Sequence, residues 1–544
     1  MRALRDAVRA VAASPTPPSD ARAFASALSL LSVAYGRVSA ARRWAYEVGL
    51  LTATSVPAPV VSVGNVTWGG SGKTPMAELV AREMAAAGAT PAVLSRGYRG
   101  GDEAWMLRRR LADVRGARVL VGADRVKLAL EALAGYGGGD DARRAPETHI
   151  EPSSPEHSHP ATHSPVAFAR EAKFAGDVDV DDVALRCVDP AKAAATTAAA
   201  ERTSTTAAPL ASSARPPVPR DPSRVAALVL DDGAQHLRLR RDLEIITVNA
   251  ISRWGSGALV PRGPLRERPG DVIRRADVVV LHHADLARSL DPEAASTFER
   301  EIERHVADAR AHRTTKASEA SDASDASDAF SAASSFAAPI LVRSSMRATG
   351  VERLARYLGT SPPHEWTPPL TRLRGSRLLC PCGVGSAAAV RATLASLAAP
   401  APSGDPRAFG LRVRTTGDAE VMDFGDHEVF REEDLRRAAE RFREMHRESG
   451  EVGGAEARMV LLEKDAARIR AGGAEAAARA LAILAPADPL VLKAEMAIDS
   501  EKDREAIRGA IRGALERGRR RAKGGEERRA EKSEERRRVK SGEG

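Results

Sequence analysis

Aromatic residues make up only 4% of this 544-residue chain, and there are just three cysteines. A chain so poor in aromatics, with abundant Ala, Arg and Gly, does not pack its whole length into cores, although it is long enough for two or three domains. Cys187, Cys380 and Cys382 cannot build a disulfide framework, and Cys380-Pro-Cys382 lacks the spacing of a zinc site, so a reducing compartment fits best. No uninterrupted run of about 18 apolar residues occurs, which predicts no membrane-spanning segment. Acid is not scarce: the net charge of +9 is mostly a tail effect, because residues 501–544 hold 16 Lys and Arg against 10 Asp and Glu. Arginine blocks at 519–521 and 536–538 read as a solvated helix or a disordered end; attraction to an anionic membrane or RNA is the weaker reading, and no specific nucleic acid partner is expected.

What is present centres on Val60-Val-Ser-Val-Gly-Asn-Val-Thr-Trp-Gly-Gly-Ser-Gly-Lys-Thr-Pro75. A buried strand breaks into a glycine-rich turn ahead of a helix, the arrangement of a phosphate-binding loop. Backbone N–H groups of Thr67, Trp68, Gly69, Gly70, Ser71 and Gly72 would face an anion. Lys73 would reach the β- and γ-phosphates of ATP, and the Thr74 hydroxyl would hold Mg²⁺. The usual pattern places glycine where Thr67 stands.

Downstream, Ala92–Ser95 reads as a second strand, so that Ser95, Arg96, Tyr98, Asp102 and Glu103 lie beyond its carboxyl end, where ligands bind in open α/β sheets. A third strand leads to Asp124-Arg125. Another, Arg224–Leu230, closes on Asp231 and Asp232, carboxylates suited to the metal side of a phosphate loop, followed by Gln235 and His236. Arg266 and Glu267 follow the next strand. His149, His157, His159 and His163 fall in a Pro/Ser-rich stretch and read as solvated rather than metal-binding.

At the other extreme of the chain, Arg2, Arg5 and Arg9 suit either an organellar targeting peptide or an ordinary N-terminal helix. From Ala23 to Leu50, Leu28, Leu31, Tyr35 and Val38 recur at helical spacing with Arg37, Arg42, Arg43, Trp44 and Tyr46 behind them. That pattern suits a helix lying in a membrane interface or, equally, one packed on a core.

The order of these blocks resembles tetraacyldisaccharide 4'-kinase, the lipid A kinase family of Gram-negative bacteria, in a plant-type version with inserts. The resemblance rests on Ser62–Pro75, Ser95–Tyr98, Gly101–Glu103, Asp124-Arg125, Asp231–His236, Pro261–Glu267, Cys382–Ser386, Asp426-His427 and Glu463–Asp465, and Thr67 is normal for that family. It implies an ATP- and Mg²⁺-dependent transfer to the 4'-hydroxyl of a tetraacyldisaccharide 1-phosphate, a lipid A precursor, at a membrane surface. By the same resemblance Asp102 is the base, with His427 its partner from a second domain. Asp231 and Asp232 manage the metal, and Tyr98, Glu103, Arg125, Gln235, His236, Arg266 and Glu267 line the site. Ala104, Glu428 and Ser386 depart from the family pattern.

The implied fold is α/β, a P-loop NTPase-type parallel sheet flanked by helices with a second smaller α/β domain. Residues 1–58 form an N-terminal segment, 59–345 the kinase domain with inserts at about 137–222 and 314–338, 346–485 the smaller domain, and 486–544 a basic helical or disordered tail. Location would be peripheral to a membrane, in an organelle (the mitochondrion first) if eukaryotic, or on the cytoplasmic face of the inner membrane if bacterial. Two rivals remain: a P-loop switch or partitioning ATPase, which would carry a lysine where Trp68 stands, and a non-catalytic nucleotide-binding relative.

Overall fold

The computed structural model describes residues 11, 22–97, 102–134, 225–322, 338–360, 368–399, 418–425, 430–451 and 455–541. Tyr98, His427 and most of the predicted inserts lie outside them.

A helix, α1 (Arg22–Glu47), precedes β1 (Val60–Asn65), which is buried along its whole length. The phosphate loop follows β1 and opens into α2 (Lys73–Ala86), whose Met76, Val80 and Met84 are fully buried. Then come β2 (Pro91–Ser95), α3 (Asp102–Arg110), β3 (Arg118–Val121), α4 (Arg125–Ala134), β4 (Ala227–Asp231), β5 (Leu243–Asn249), α5 (Pro269–Arg275), β6 (Val278–His282), α6 (Ala284–Leu290) and α7 (Pro292–Asp322). A long strand, β7 (Ile340–Arg353), leads to β8 (Arg377–Cys382), α8 (Ala387–Ala398), β9 (Ala419–Asp423), α9 (Glu432–Glu451), β10 (Ala457–Leu462), α10 (Glu463–Ala471), α11 (Ala474–Leu484), β11 (Leu490–Ile498) and α12 (Glu501–Ser541).

The described strands form one sheet in the order β3-β2-β4-β1-β5-β6-β7-β11-β10-β8-β9. Neighbours are parallel everywhere except at the β7–β11 seam. Strand β1 sits where strand order reverses, with β4 on one side and β5 on the other, and that is where an open α/β sheet places its ligand.

The register of β7 explains how the second half reaches that place. Ile340–Ser344 pairs with β6, whereas Ser344–Arg353 runs on past the end of β6 and pairs with β11 in the opposite direction. Strands β11, β10 and β8 therefore point back toward the carboxyl ends of β6, β5 and β1. Loops following strands of both halves converge on one cleft.

Three expectations change. Residues 486–544 are not all tail. Strand β11 is an interior strand whose Val491 and Leu492 are buried, and Ile507, Ile511, Ala514 and Leu515 of α12 join the core cluster that contains Met76, Val80 and Met84. A nine-residue strand ahead of arginine-rich sequence is easily overlooked when composition sets the boundary. The second predicted insert begins late, since α7 continues helically from 314 to Asp322. Finally, α1 is the one helix among the described residues long and apolar enough to cross a membrane, with an 18-residue window of mean hydropathy 1.2 that is only 17% buried. Its Leu, Val, Phe and Ala residues keep the hydropathy up, while interspersed Ser and Gly break the continuous apolar run.

Because β11 is interior, Leu492→Ala should cost about 2–5 kcal/mol, read as a lower urea midpoint with unchanged slope. A chain ending at residue 488 should lack the near-ultraviolet circular dichroism of the full chain; a native spectrum from it would contradict the interior placement.

Candidate active site

The turn between β1 and α2 is built on positive-φ glycines: Gly69 (63°), Gly70 (50°) and Gly72 (78°), all in the left-handed region where a Cβ is strained. Side chains fix its shape from below. The Asn65 amide donates to the Thr67 carbonyl and, at 2.8 Å, to Ser71 Oγ, while Asn249 Nδ2 donates to the Gly70 carbonyl at 2.6 Å. Beside it, the Trp68 N–H donates to the Pro264 carbonyl at 2.9 Å, which ties the loop to the segment carrying Arg266 and Glu267. The Trp68 ring is 56% exposed and makes no core. At the helix start, Lys73 and Thr74 occupy the first turn of α2, where free N–H groups and the helix dipole favour an anion.

Opposite lies the carboxyl end of β4. Lys73 Nζ stands 3.6 Å from Asp232 Oδ1, and Arg266 Nη1 donates to the same oxygen at 2.6 Å. Arg125, inside the protein, donates to the carbonyls of Asp231 and Asp232, each at 3.0 Å. Arg266 also reaches Gln235 Oε1 at 3.1 Å, and Gln235 in turn donates to Glu267 Oε1 at 3.1 Å. Thus Lys73, Thr74, Asp231, Asp232, Arg125, Gln235, Arg266 and Glu267 belong to one constellation.

The two aspartates are driven apart electrostatically. Burial works to raise Asp232, but Lys73, Arg266 and Arg125 outweigh it and hold the carboxyl well below the usual range. Asp231 has no such direct partner. Burial first, then the charges of Glu103 and Asp232, push it up to about 7. Its Oδ1 is buried without a hydrogen-bond partner among the described residues. Burial also pushes the Lys73 ammonium below its ordinary value, against the pull of Asp232.

An orphaned carboxylate oxygen beside Lys73 and Thr74 fits a divalent cation. Among the described residues no group of three His, Cys, Asp or Glu could hold a metal alone. Mg²⁺ usually takes one or two carboxylates and completes its shell with phosphates and water, so Asp231 and Asp232 with the Thr74 hydroxyl are a sufficient protein share. Burial, with Arg125, Arg241 and Arg238, pushes the His236 imidazole down to about 3, so its ring stays neutral at physiological pH, and Arg241 donates to its carbonyl at 2.9 Å.

Asp102 opens α3 with its Oδ1 accepting the Glu103 N–H at 2.9 Å. The described residue that meets its other oxygen is Arg468 of α10, with Nε donating to Oδ2 at 3.0 Å. Glu103 pairs with Lys464 at 3.1 Å, and Arg110 at the far end of α3 pairs with Glu463. The family resemblance rests in part on Glu463-Lys464-Asp465, without a role for those residues. Sequence reasoning missed Arg468, because one more arginine in an arginine-rich chain carries no signal until α3 and α10 are seen to run antiparallel.

A profile of the family described as LpxK, Tetraacyldisaccharide-1-P 4'-kinase, matches residues 24–138 and 186–358. The chain belongs to this family. It is 34% identical over 271 residues to a protein of Arabidopsis thaliana named probable tetraacyldisaccharide 4'-kinase, mitochondrial, a match covering 49% of this chain and 52% of that one. It is 30% identical over 407 residues to a tetraacyldisaccharide 4'-kinase of an Anaeromyxobacter species, covering 73% of this chain and 88% of the relative. The chain spans about half the length of several other curated relatives that it matches. A crystal structure of LpxK from Aquifex aeolicus is 17% identical, with a TM-score of 0.45, covering 90% of this chain and 99% of the other.

The position of Asp231 near neutrality gives a pH-dependent expectation. A metal needs the carboxylate, so cation binding must displace its proton below about pH 7. Mn²⁺ affinity of the nucleotide-free protein, read by electron paramagnetic resonance, should rise up to about tenfold per pH unit from 5 to 7 and level off above. Asp231→Asn should flatten that profile; an unchanged slope would remove Asp231 from the metal site.

Proposed function

We propose that this protein transfers the γ-phosphate of ATP to the 4'-hydroxyl of a tetraacyldisaccharide 1-phosphate, a lipid A precursor. The observation that carries the reading is the constellation of Lys73, Thr74 and the divided Asp231–Asp232 pair around the phosphate loop, with Asp102 at the neighbouring strand end. Family membership supplies the acceptor: two relatives bear that name.

The chemistry is mostly positioning and neutralisation. The loop N–H groups and Lys73 hold the β- and γ-phosphates. Thr74, Asp231 and Asp232 would hold Mg²⁺, which, when bound, offsets charge between those phosphates. The sugar hydroxyl gives its proton to the Asp102 carboxylate as its oxygen forms the new P–O bond, and the bond to the bridging oxygen breaks to release ADP. Arg266, Arg125, Gln235, Glu267, Glu103 and His236 line the acceptor side. His427 and Tyr98, outside the described residues, keep their proposed places as the partner of Asp102 and a nucleotide contact. With site residues drawn from both halves, closure of the cleft would complete the site.

A ³²P-transfer assay with the lipid A disaccharide precursor tests this. Wild-type protein should label the lipid, and Asp102→Ala should lower kcat by about 10²–10⁴ while ATP affinity stays within about threefold. ATP hydrolysis without lipid labelling would favour a switch ATPase, and neither activity would indicate a non-catalytic relative.

We also propose that the protein binds a membrane surface peripherally through α1. Leu30 (74%), Val38 (70%) and Trp44 (56%) are exposed along the helix, with Leu50 (69%) just beyond its end. Arg43 pins it to the site by pairing with Glu267 at 2.7 Å and Asp271 at 2.9 Å. An organellar location, the mitochondrion first, accords with the mitochondrial name of the Arabidopsis relative and with Arg2, Arg5 and Arg9. Sedimentation with vesicles of phosphatidylethanolamine and phosphatidylglycerol should fall about tenfold or more for the L30S/L31S/V38S variant. Equal binding by that variant would exclude α1 as the anchor.

A further inference from the structure

The guanidinium of Arg468 is 4% exposed and sits at a junction no sequence motif announces. Nε holds Asp102 Oδ2 at 3.0 Å, and Nη1 donates both to Asp465 Oδ1 at 2.9 Å and to the carbonyl of Gly383. Asp465 Oδ1 closes the unit by accepting the Gly383 N–H at 3.1 Å. Gly383 opens the turn Gly383-Val-Gly-Ser386 between β8 and α8, and that turn touches the phosphate loop backbone to backbone. A Cβ on Gly385 would lie 2.6 Å from the Gly70 nitrogen, and one on Gly70 would lie 3.0 Å from the Gly385 carbonyl carbon. No side chain fits at either point. Space at the other end is as tight, since a Cβ on Gly383 would meet Arg468 Nη1 at 2.7 Å and the Gly425 carbonyl at 2.8 Å.

A continuous path therefore runs from the phosphate loop at Gly70, through Gly385 and Gly383, to Arg468 and on to Asp102. Every link is a direct backbone contact or a hydrogen bond, and further along the two helices α3 is fastened to α10 by Lys464–Glu103 and Arg110–Glu463. Burying a charged pair is costly in desolvation, and stability alone is a weak reason for it. The planar fork of arginine matches three acceptors lying in different directions, which the point charge of lysine does not.

We propose that Arg468 is a positioning residue that couples the seating of the Gly383–Ser386 turn on the phosphate loop to the orientation of the Asp102 carboxylate. When nucleotide orders the loop, the turn fixes Arg468, and Arg468 holds Asp102 by one oxygen. Each carboxylate oxygen has two lone pairs, so the held group still accepts a proton from the acceptor hydroxyl. The inference rests on the kinase reading for the role of Asp102, but the coupling itself does not require a lipid acceptor.

Two readouts separate these. Hydrogen exchange of the α3 amides from Glu103 to Leu107, with and without a non-hydrolysable ATP analogue, reports the coupling. Lipid phosphorylation reports the chemistry. In the wild-type protein the analogue should protect those amides. Arg468→Lys retains the buried charge and should keep the fold and bind ATP within about threefold of wild type, yet lose that protection and at least about tenfold in kcat. Arg468→Met should lose about a hundredfold or more. Gly385→Ala, which lifts the turn off the phosphate loop without touching any charge, should also abolish the protection. Nucleotide-dependent protection and kcat in Arg468→Lys and Gly385→Ala equal to wild type would overturn the proposal. Absence of lipid labelling by the wild-type protein would overturn the kinase reading alone, because the exchange experiment is read independently.

Discussion

The antiparallel seam between β7 and β11 is the constraint on which the rest depends. A purely parallel eleven-stranded sheet would leave all its ligand-binding loops along one edge, with the last strands far from the first. Here β7 begins as the partner of β6, outruns it, and hands the chain to strands that run the opposite way. The carboxyl ends of β8 and β10 are thereby turned to face those of β1 and β4. The Gly383–Ser386 turn and α10 owe their contact with the phosphate loop and α3 to this reversal. Arg109, which pairs with Glu352 on β7 and lies over the Tyr357 ring at 4.5 Å, fixes α3 to the seam itself.

Within the cleft, charge placement does more than composition suggests. Asp231 and Asp232 are adjacent in sequence, the first buried and the second half-buried; both feel Lys73 and Arg125, but Asp232 is also hydrogen-bonded by Arg266 whereas Asp231 is pushed the other way by Glu103. Separation of two like carboxylates by unequal neighbours is a recurring way to assign them different duties. The left-handed backbone of Asp232, φ 55°, turns its side chain toward Lys73 while Asp231 stays in the strand, and Gly233 follows where a Cβ would strike Ser62 Oγ at 2.3 Å. Local backbone shape and long-range charge thus act together.

Much of this was legible in the sequence. The run from Val60 to Pro75 gave strand, turn and helix, because β-branched residues, glycines and Lys-Thr each restrict the backbone in a different way. Asp231-Asp232 closing an apolar strand was equally clear. Legibility failed where meaning depends on a partner distant in sequence. Arg468 is uninformative until Asp102, 366 residues away, is placed beside it. Strand β11 runs into the basic helix after only Asp499-Ser500, and its identity comes from pairing with β7. Asn249, which braces the loop through the Gly70 carbonyl, is an ordinary polar residue whose role follows only from the sheet order.

The attachment of α1 carries the argument one step further. The helix is held at two places: Ser32 Oγ donates to the Leu259 carbonyl at 2.8 Å and accepts the Arg262 N–H at 2.9 Å, and Arg43 pairs with Glu267 and Asp271. Both anchors belong to the segment from Leu259 to Asp271, which also carries Arg266 and receives the Trp68 N–H of the phosphate loop through Pro264. Glu267 is held in turn by Arg275, and the burial that would raise its carboxyl is outweighed by Arg275, Gln235 and Arg43, so it stays ionised and keeps this junction closed at neutral pH. A helix fixed in this way cannot tilt without dragging the loop that bears Arg266. Its exposed apolar face is thus held in a set orientation relative to Asp232 and Lys73, so the proposed docking of α1 on a membrane would fix the orientation of the cleft as well.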